Sequence, residues 1–387
     1  MEPHRRYRSA PAHHAPIRRQ AHRALLCAVM VSTIAILTAC EPTPLASVPQ
    51  PSAAVTGTVY AVAQVGDRTI IGGDFTAVGG VPRQNAAAIL ADGSLDPTFD
   101  PAPDGIVYAV AGAPNGSRVF LGGSFLNAGG APRTHLAAVD PSTGAADPNW
   151  LTTADSDVFA LAVSGTRLYA GGRFMLVGGT NRRRLAAIDT TSGAVQLGFN
   201  PFPDWTVKAV VVSPDGSKVY AAGGFTAIGG QPRLGAAEVL AATGSATAFD
   251  PAKGGVALAA ALTPDGTRFY FSTTDNRVYG YDPALSNAPA QTVQGGGDTQ
   301  AIAASATTVY IGGHFSQVWT GQPKIKRSRI ASFLVADSTI SAWDPGADGY
   351  LGVWALAVTP TGLLVGGDFI HLGGVTQPGF GRFSGTP

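Results

Sequence analysis

From residue 59 onward the chain alternates short apolar runs with clusters of Gly, Pro, Asp and Ser. The runs are too short and too often broken for the 3.6-residue rhythm of helices, and they read as strands joined by turns. One unit recurs. It opens as V-Y-A-V-A, turns, and continues as an apolar run ending in G-G-x-F. A loop with G-G-x-P-R follows, then A-A-I, then F-D-P. The Ala of the first run returns as Ala61, Ala109, Ala160, Ala209, Ala259, Ala301 and Ala355, at intervals of 48, 51, 49, 50, 42 and 54 residues. The Phe of G-G-x-F returns as Phe75, Phe125, Phe174, Phe225, Phe315 and Phe369, and only the fifth copy lacks it.

Within the first copy the pattern predicts strands over residues 59–63, 69–75, 85–90 and 95–99. Turns such as Ser213-Pro214-Asp215-Gly216 separate them, Pro presetting φ and Gly supplying a positive φ. Four short strands in each unit of about 50 residues predict an all-β fold, a β-propeller of about seven four-stranded blades. Paired glycines suit places where backbones come close. The Phe after them, with Phe99, Trp150, Phe199, Phe249 and Trp343, is expected to pack between blades. The seventh copy stops near Phe383 without a fourth strand. Residues 48–57 precede the first copy where a fourth strand precedes every other, so they are expected to close the ring on the last blade. The fifth copy, residues 257–299, lacks the glycine loop and carries Phe269-Tyr270-Phe271 and Tyr279-Gly280-Tyr281. A lowered rim there is expected to open a groove beside which a few of these aromatic residues could stack on a ligand, most of them being core between blades.

The sequence G-G-D-F-T-A-V-G-G-V-P-R at residues 72–83, followed by D-G-S-L-D-P-T-F at residues 92–99, resembles the delta-60 repeat of bacterial extracytoplasmic propellers. It is also similar to repeats of Rax2-like fungal cortical markers and, distantly, to kelch repeats. The resemblance spans nearly the whole chain after residue 58. It implies a propeller and a compartment outside the cytoplasm, and no agreed activity.

The chain's start changes the picture. An Arg- and His-rich stretch ends at Arg23, and residues 24–39 form an apolar run of 16 residues. That is short of the roughly 20 a spanning helix needs, and it reads as an export signal. The run ends in Leu37-Thr38-Ala39-Cys40, which resembles the bacterial lipobox. The resemblance implies cleavage before Cys40 and a covalent lipid on its thiol. Residues 1–39 are thus expected to be a lipoprotein signal peptide, 40–52 a lipidated Cys with a Pro- and Ser-rich flexible tether, and 53–387 the propeller. The expected location is the extracytoplasmic face of a cell membrane, with the lipid as the only non-protein group and the membrane as a partner.

Composition allows a large core, with 45% apolar and 13% charged residues. Six of the 26 basic residues lie in the leader beside one acid, so the remainder is mildly acidic. That argues against a nucleic-acid partner. Both cysteines, Cys27 and Cys40, stand near the start, which removes thiolate chemistry from the repeats. Three histidines in the repeats, His135, His314 and His371, have no metal-ligand spacing. Most aspartates precede Gly or Pro, where turn chemistry accounts for them.

Two features could mark a ligand face. His314 fills the variable slot of G-G-x-F. Arg83, Arg133, Arg182, Arg233 and Arg327 recur at one slot in the loop between second and third strands, where guanidiniums could grip carboxylates or phosphates, or could pair within the repeats. The expected function is a binding module for an envelope protein, peptide or glycan. The alternative is a propeller enzyme, a hydrolase, lactonase or lyase, which would gather Asp, His or Arg from several blades at the axial mouth.

Overall fold

The computed structural model describes residues 43–387. The expected signal peptide and Cys40 lie outside the described residues. Each repeat folds its first three runs into an antiparallel sheet. In the first, strand Val55–Val65 pairs with Arg68–Val78, which pairs with Ala86–Ile89. Seven sheets of this kind follow one another, and no helix occurs among the described residues. Each innermost strand packs against that of the next sheet. Val353–Thr359, in the last sheet, packs against Val55–Val65, so the series returns on itself as a β-propeller.

The core lies between neighbouring sheets, so the middle strands are buried on both faces. Val119–Gly123 is buried at every position, as is Ala86–Ile89. The alanines and glycines of these strands allow close stacking. A Cβ on Gly72 would lie 2.6 Å from Val107 Cγ1 of the next sheet, and one on Gly366 would lie 2.6 Å from Val59 Cγ1. Phe99, Trp150 and Phe199 fill the outer part of the same interfaces and are fully or almost fully buried.

The fourth strand departs from the expectation over residues 95–99. It shrinks to the single bridge Ile89↔Leu95. Asp96 then turns the chain by accepting the Thr98 amide at 2.9 Å, and Pro97 has no N–H to extend a ladder. The fifth sheet alone among these has a longer fourth strand, Gln291–Gly295, whose edge pairs with the hairpin strand Gln317–Trp319 of the sixth repeat. Phe269, Tyr270, Phe271 and Tyr281 are fully buried there, so the aromatic residues expected beside a groove are core. What remains between the fourth and fifth sheets is a hollow of about 280 Å3 bordered by Leu234, Val256 and Thr274.

Residues 44–52 run along the outer edge of the last sheet. Ala46 N donates to Ser384 O at 2.8 Å and Gln50 N to Arg382 O at 2.7 Å. The paired segment begins earlier than the expected 48–57, because residues from Val55 onward already belong to the first inner strand. It also takes up most of the expected tether, which from Pro44 on is bound chain.

Candidate functional site

The seven inner strands share one irregularity. Val59 pairs with Gly73 and Ala61 with Gly72, so Tyr60 is left over as a β-bulge. The same shift leaves over Tyr108, Phe159, Lys208, Gln300 and Trp354. In the fifth sheet it spans Leu258 and Ala259. A bulge re-aims the extra side chain, here toward the propeller axis. The second glycine of each pair makes the bulge possible. A Cβ on Gly73 would overlap the Thr58 carbonyl oxygen, and one on Gly172 would overlap that of Asp157.

These seven side chains line an axial cavity of about 440 Å3, with Arg173 at its rim. The alanine after each of them lines a further hollow of about 220 Å3. The lining is uneven. Trp354, Tyr60, Tyr108 and Phe159 form a continuous arc, with ring centroids 5.3, 5.9 and 5.2 Å apart in turn. The arc ends on cations: Lys208 Nζ lies 4.5 Å and Arg173 Cζ 5.6 Å from the Phe159 centroid. Arg173 is paired with Asp157, whose Oδ1 is 3.5 Å from His135 Nδ1. Lys208 is different. Its side chain reaches solvent along the cavity but has no carboxylate within ion-pair distance among the described residues. The protein around it, and then the charge of Arg173, push its pKa below the ordinary lysine value. At the start of the arc, partial burial and the nearby Asp74 carboxylate raise the pKa of the Tyr60 hydroxyl.

The residues singled out from sequence divide between rim and scaffold. His314 stands exposed at the rim, its ring 6.1 Å from that of Tyr350. Arg173 shares its slot and lines the cavity. The five repeated arginines are engaged within the repeats, the second of the two roles expected of them. Each ties the short hairpin to the outer edge of its own sheet. Arg83 donates to Pro82 O at 2.9 Å and Pro97 O at 2.8 Å, and Arg133 to Pro132 O at 2.8 Å and Asp147 O at 3.0 Å. Arg182 does the same with Asn181 O and Leu197 O, Arg233 with Pro232 O and Thr247 O, and Arg327 with Lys326 O and Ser341 O. A planar fork with several donors suits this clasp, whereas an ammonium cannot hold both carbonyls in that geometry. Arg133→Ala is therefore expected to cost about 2 kcal/mol in urea unfolding, with Arg133→Lys recovering little of it.

A second clasp uses carboxylates. Asp104 accepts the amides of Leu126 and Asn127 at 2.7 and 2.9 Å. Asp204 holds Thr226 and Ala227 at 2.8 and 3.0 Å, and Asp348 holds Ile370 and His371 at 2.7 and 2.8 Å. Burial opposes their charge, but these hydrogen bonds outweigh it and hold all three pKa values below the ordinary aspartate value. A carboxylate whose pKa is lowered by folding stabilises the fold above its unfolded pKa. That stability is lost as pH falls through the folded value. The urea midpoint is thus expected to hold from neutral pH down to about 5 and to fall below about pH 4. In Asp104→Asn the fall is expected to be shallower, measured from the same titration.

Asp155 and Asp157, adjacent in sequence but for Ser156, serve separate ends. Asp155 accepts the Met175 and Leu176 amides, while Asp157 pairs with Arg173. No group of three or more His, Cys, Asp or Glu side chains suited to a metal ion occurs among the described residues.

Residues 67–99 match the family described as a domain of unknown function (DUF5122) beta-propeller. No curated protein matches the chain. The matched stretch includes Gly72, Gly73 and the Arg83 clasp but begins after Tyr60. It covers the second and third strands of the first sheet and not the inner strand that sends a side chain to the axis. That axial position was the one missed in the sequence. Its signal is present there. The residue before each repeated alanine is Tyr, Tyr, Phe, Lys, Leu, Gln and Trp, large and varied in a run otherwise small and uniform.

Proposed function

We propose that the chain is a binding module of the cell envelope, anchored to a membrane by a lipid on Cys40, that takes its ligand at the axial mouth. The supporting observation is the convergence of one bulged side chain from every sheet on a single cavity. Concave sites with a mostly apolar wall and a few placed polar groups are the usual form of ligand pockets. The wall here is built for contact rather than reaction. It carries aromatic, aliphatic and amide groups with one ammonium, and the nearby His135–Asp157 pair is engaged by Arg173 and by the Gly123 carbonyl, 3.2 Å from His135 Nδ1. The described chain starts at the end of the sheets away from the mouth, where Pro44 bridges to Thr386 beside the Thr361 turn.

Two variants test the two halves of this reading. Leu258→Trp fills the cavity without touching a clasp, and the full chain carrying it is expected to lose the component that the wild type captures from envelope extract. Equal capture by both would show that the mouth is not the site. Cys40→Ala is expected to leave the membrane fraction or to stay uncleaved. Fractionation identical to wild type would rule out the lipid anchor.

A further inference from the structure

We propose that the axial mouth recognises an acidic sugar, a pyranose carrying a carboxylate, with the ring against the aromatic arc and the carboxylate on Lys208. This rests on the mouth being the binding site and names what it reads.

Charge and shape lead to the same ligand. Arg173 is neutralised by Asp157, so Lys208 carries the uncompensated positive charge of the wall. Its ammonium lies 4.5 Å from the Phe159 ring centroid with no carboxylate at ion-pair distance among the described residues, so an incoming anion makes the ion pair that the wall leaves unmade. A bare anion such as phosphate would satisfy Lys208 but leave the arc from Trp354 to Phe159 unused. A neutral sugar would use the arc but leave the ammonium unmatched.

A pyranose presents apolar C–H faces and a girdle of hydroxyls. The wall presents ring faces interrupted by the Tyr60 and Tyr108 hydroxyls and the Gln300 amide. Asp74, close enough to raise the pKa of the Tyr60 hydroxyl, is exposed with no ion-pair partner among the described residues and can accept from sugar hydroxyls. The cavity of about 440 Å3 lies within the range that small ligands occupy. An acidic peptide fits less well, because its carboxylate would be followed by amides that need backbone partners, and the lumen offers side chains.

The test titrates the detergent-solubilised full chain with glucuronate, glucose, acetate and a Glu-containing tripeptide, read by calorimetry and by tryptophan fluorescence. Glucuronate is expected to bind at least about tenfold more tightly than glucose, with acetate and the tripeptide weaker still. Lys208→Met is expected to lower the affinity for glucuronate about tenfold relative to that for glucose and leave the melting temperature unchanged. Trp354→Ala is expected to weaken both sugars. Equal binding of glucose and glucuronate, or an unaltered glucuronate affinity in Lys208→Met, would overturn the acidic group while the mouth stands. Acetate or the tripeptide binding as tightly as glucuronate would overturn the sugar, as would no binding of any probe. If Leu258→Trp binds glucuronate like wild type, the mouth itself is wrong, and the two failures are told apart.

Discussion

Deletion of residues 44–52 from the full chain is expected to lower the melting temperature by about 10 °C, the largest loss from any change away from the core. The segment makes several separate ties to the ends of the ring. Its backbone bonds to Arg382 and Ser384, and the Trp343 indole N–H donates to Ala46 O at 2.8 Å. Leu45 packs against the cluster that holds Leu363 and Phe383. The seventh repeat has Gln377 at the slot where other repeats have the clasping arginine. Its amide donates to Ser52 O at 3.1 Å, so it holds the returning chain start as the arginines hold their own sheet edges. At about 1 kcal/mol for each hydrogen bond and more for the uncovered Trp343 and Leu45 contacts, the loss is about 5 kcal/mol. Differential scanning of the deletion beside wild type measures it. A melting temperature within error of wild type would mean that these bonds do not hold the ring together.

The propeller was legible because its physics repeats. Turn residues, alternating runs and glycine pairs return about every 50 residues, and chance does not maintain that pattern along a chain. What could not be read follows from how repeats hide function. A slot kept in five of the seven copies, such as Arg83 and its counterparts, meets a demand that those sheets share, and that demand is structural. A slot that varies, such as the one filled by Tyr60, Lys208 and Trp354, is free of that demand. Sequence shows the variation but not that a bulge turns all seven side chains onto one axis. The outer strand was overread for a local reason. Leu95 looks like the start of a strand, but Asp96 and Pro97 end it at once. The closing segment begins four residues before the expected 48–57, because that expectation rests on position before the first copy, while the bonds begin at Pro44 and Ala46.

Gly172→Ala is expected to cost about 3 kcal/mol and to weaken ligand binding at the mouth as well. The new Cβ would overlap the Asp157 carbonyl oxygen and lie 2.9 Å from Phe174 Cδ1. The first of these is backbone, so no rotamer change relieves it. Moving Asp157 would disturb three groups together, since its carboxylate holds Arg173 and faces His135, and Phe159 follows two residues on. The bulge that aims Phe159 at the axis is the element under strain, so stability and site geometry should fail together. Gly198→Ala is the matched control, because its Cβ would have only the Ala242 carbonyl oxygen nearby, at an ordinary 3.4 Å. It is expected to melt with wild type, and Gly172→Ala about 6 °C lower. Identical melting of the two variants would show that the glycine is not what permits the bulge. Lost stability with unchanged ligand affinity would instead separate the bulge from the site, and would mean that the side chains at the axis keep their places by packing against one another.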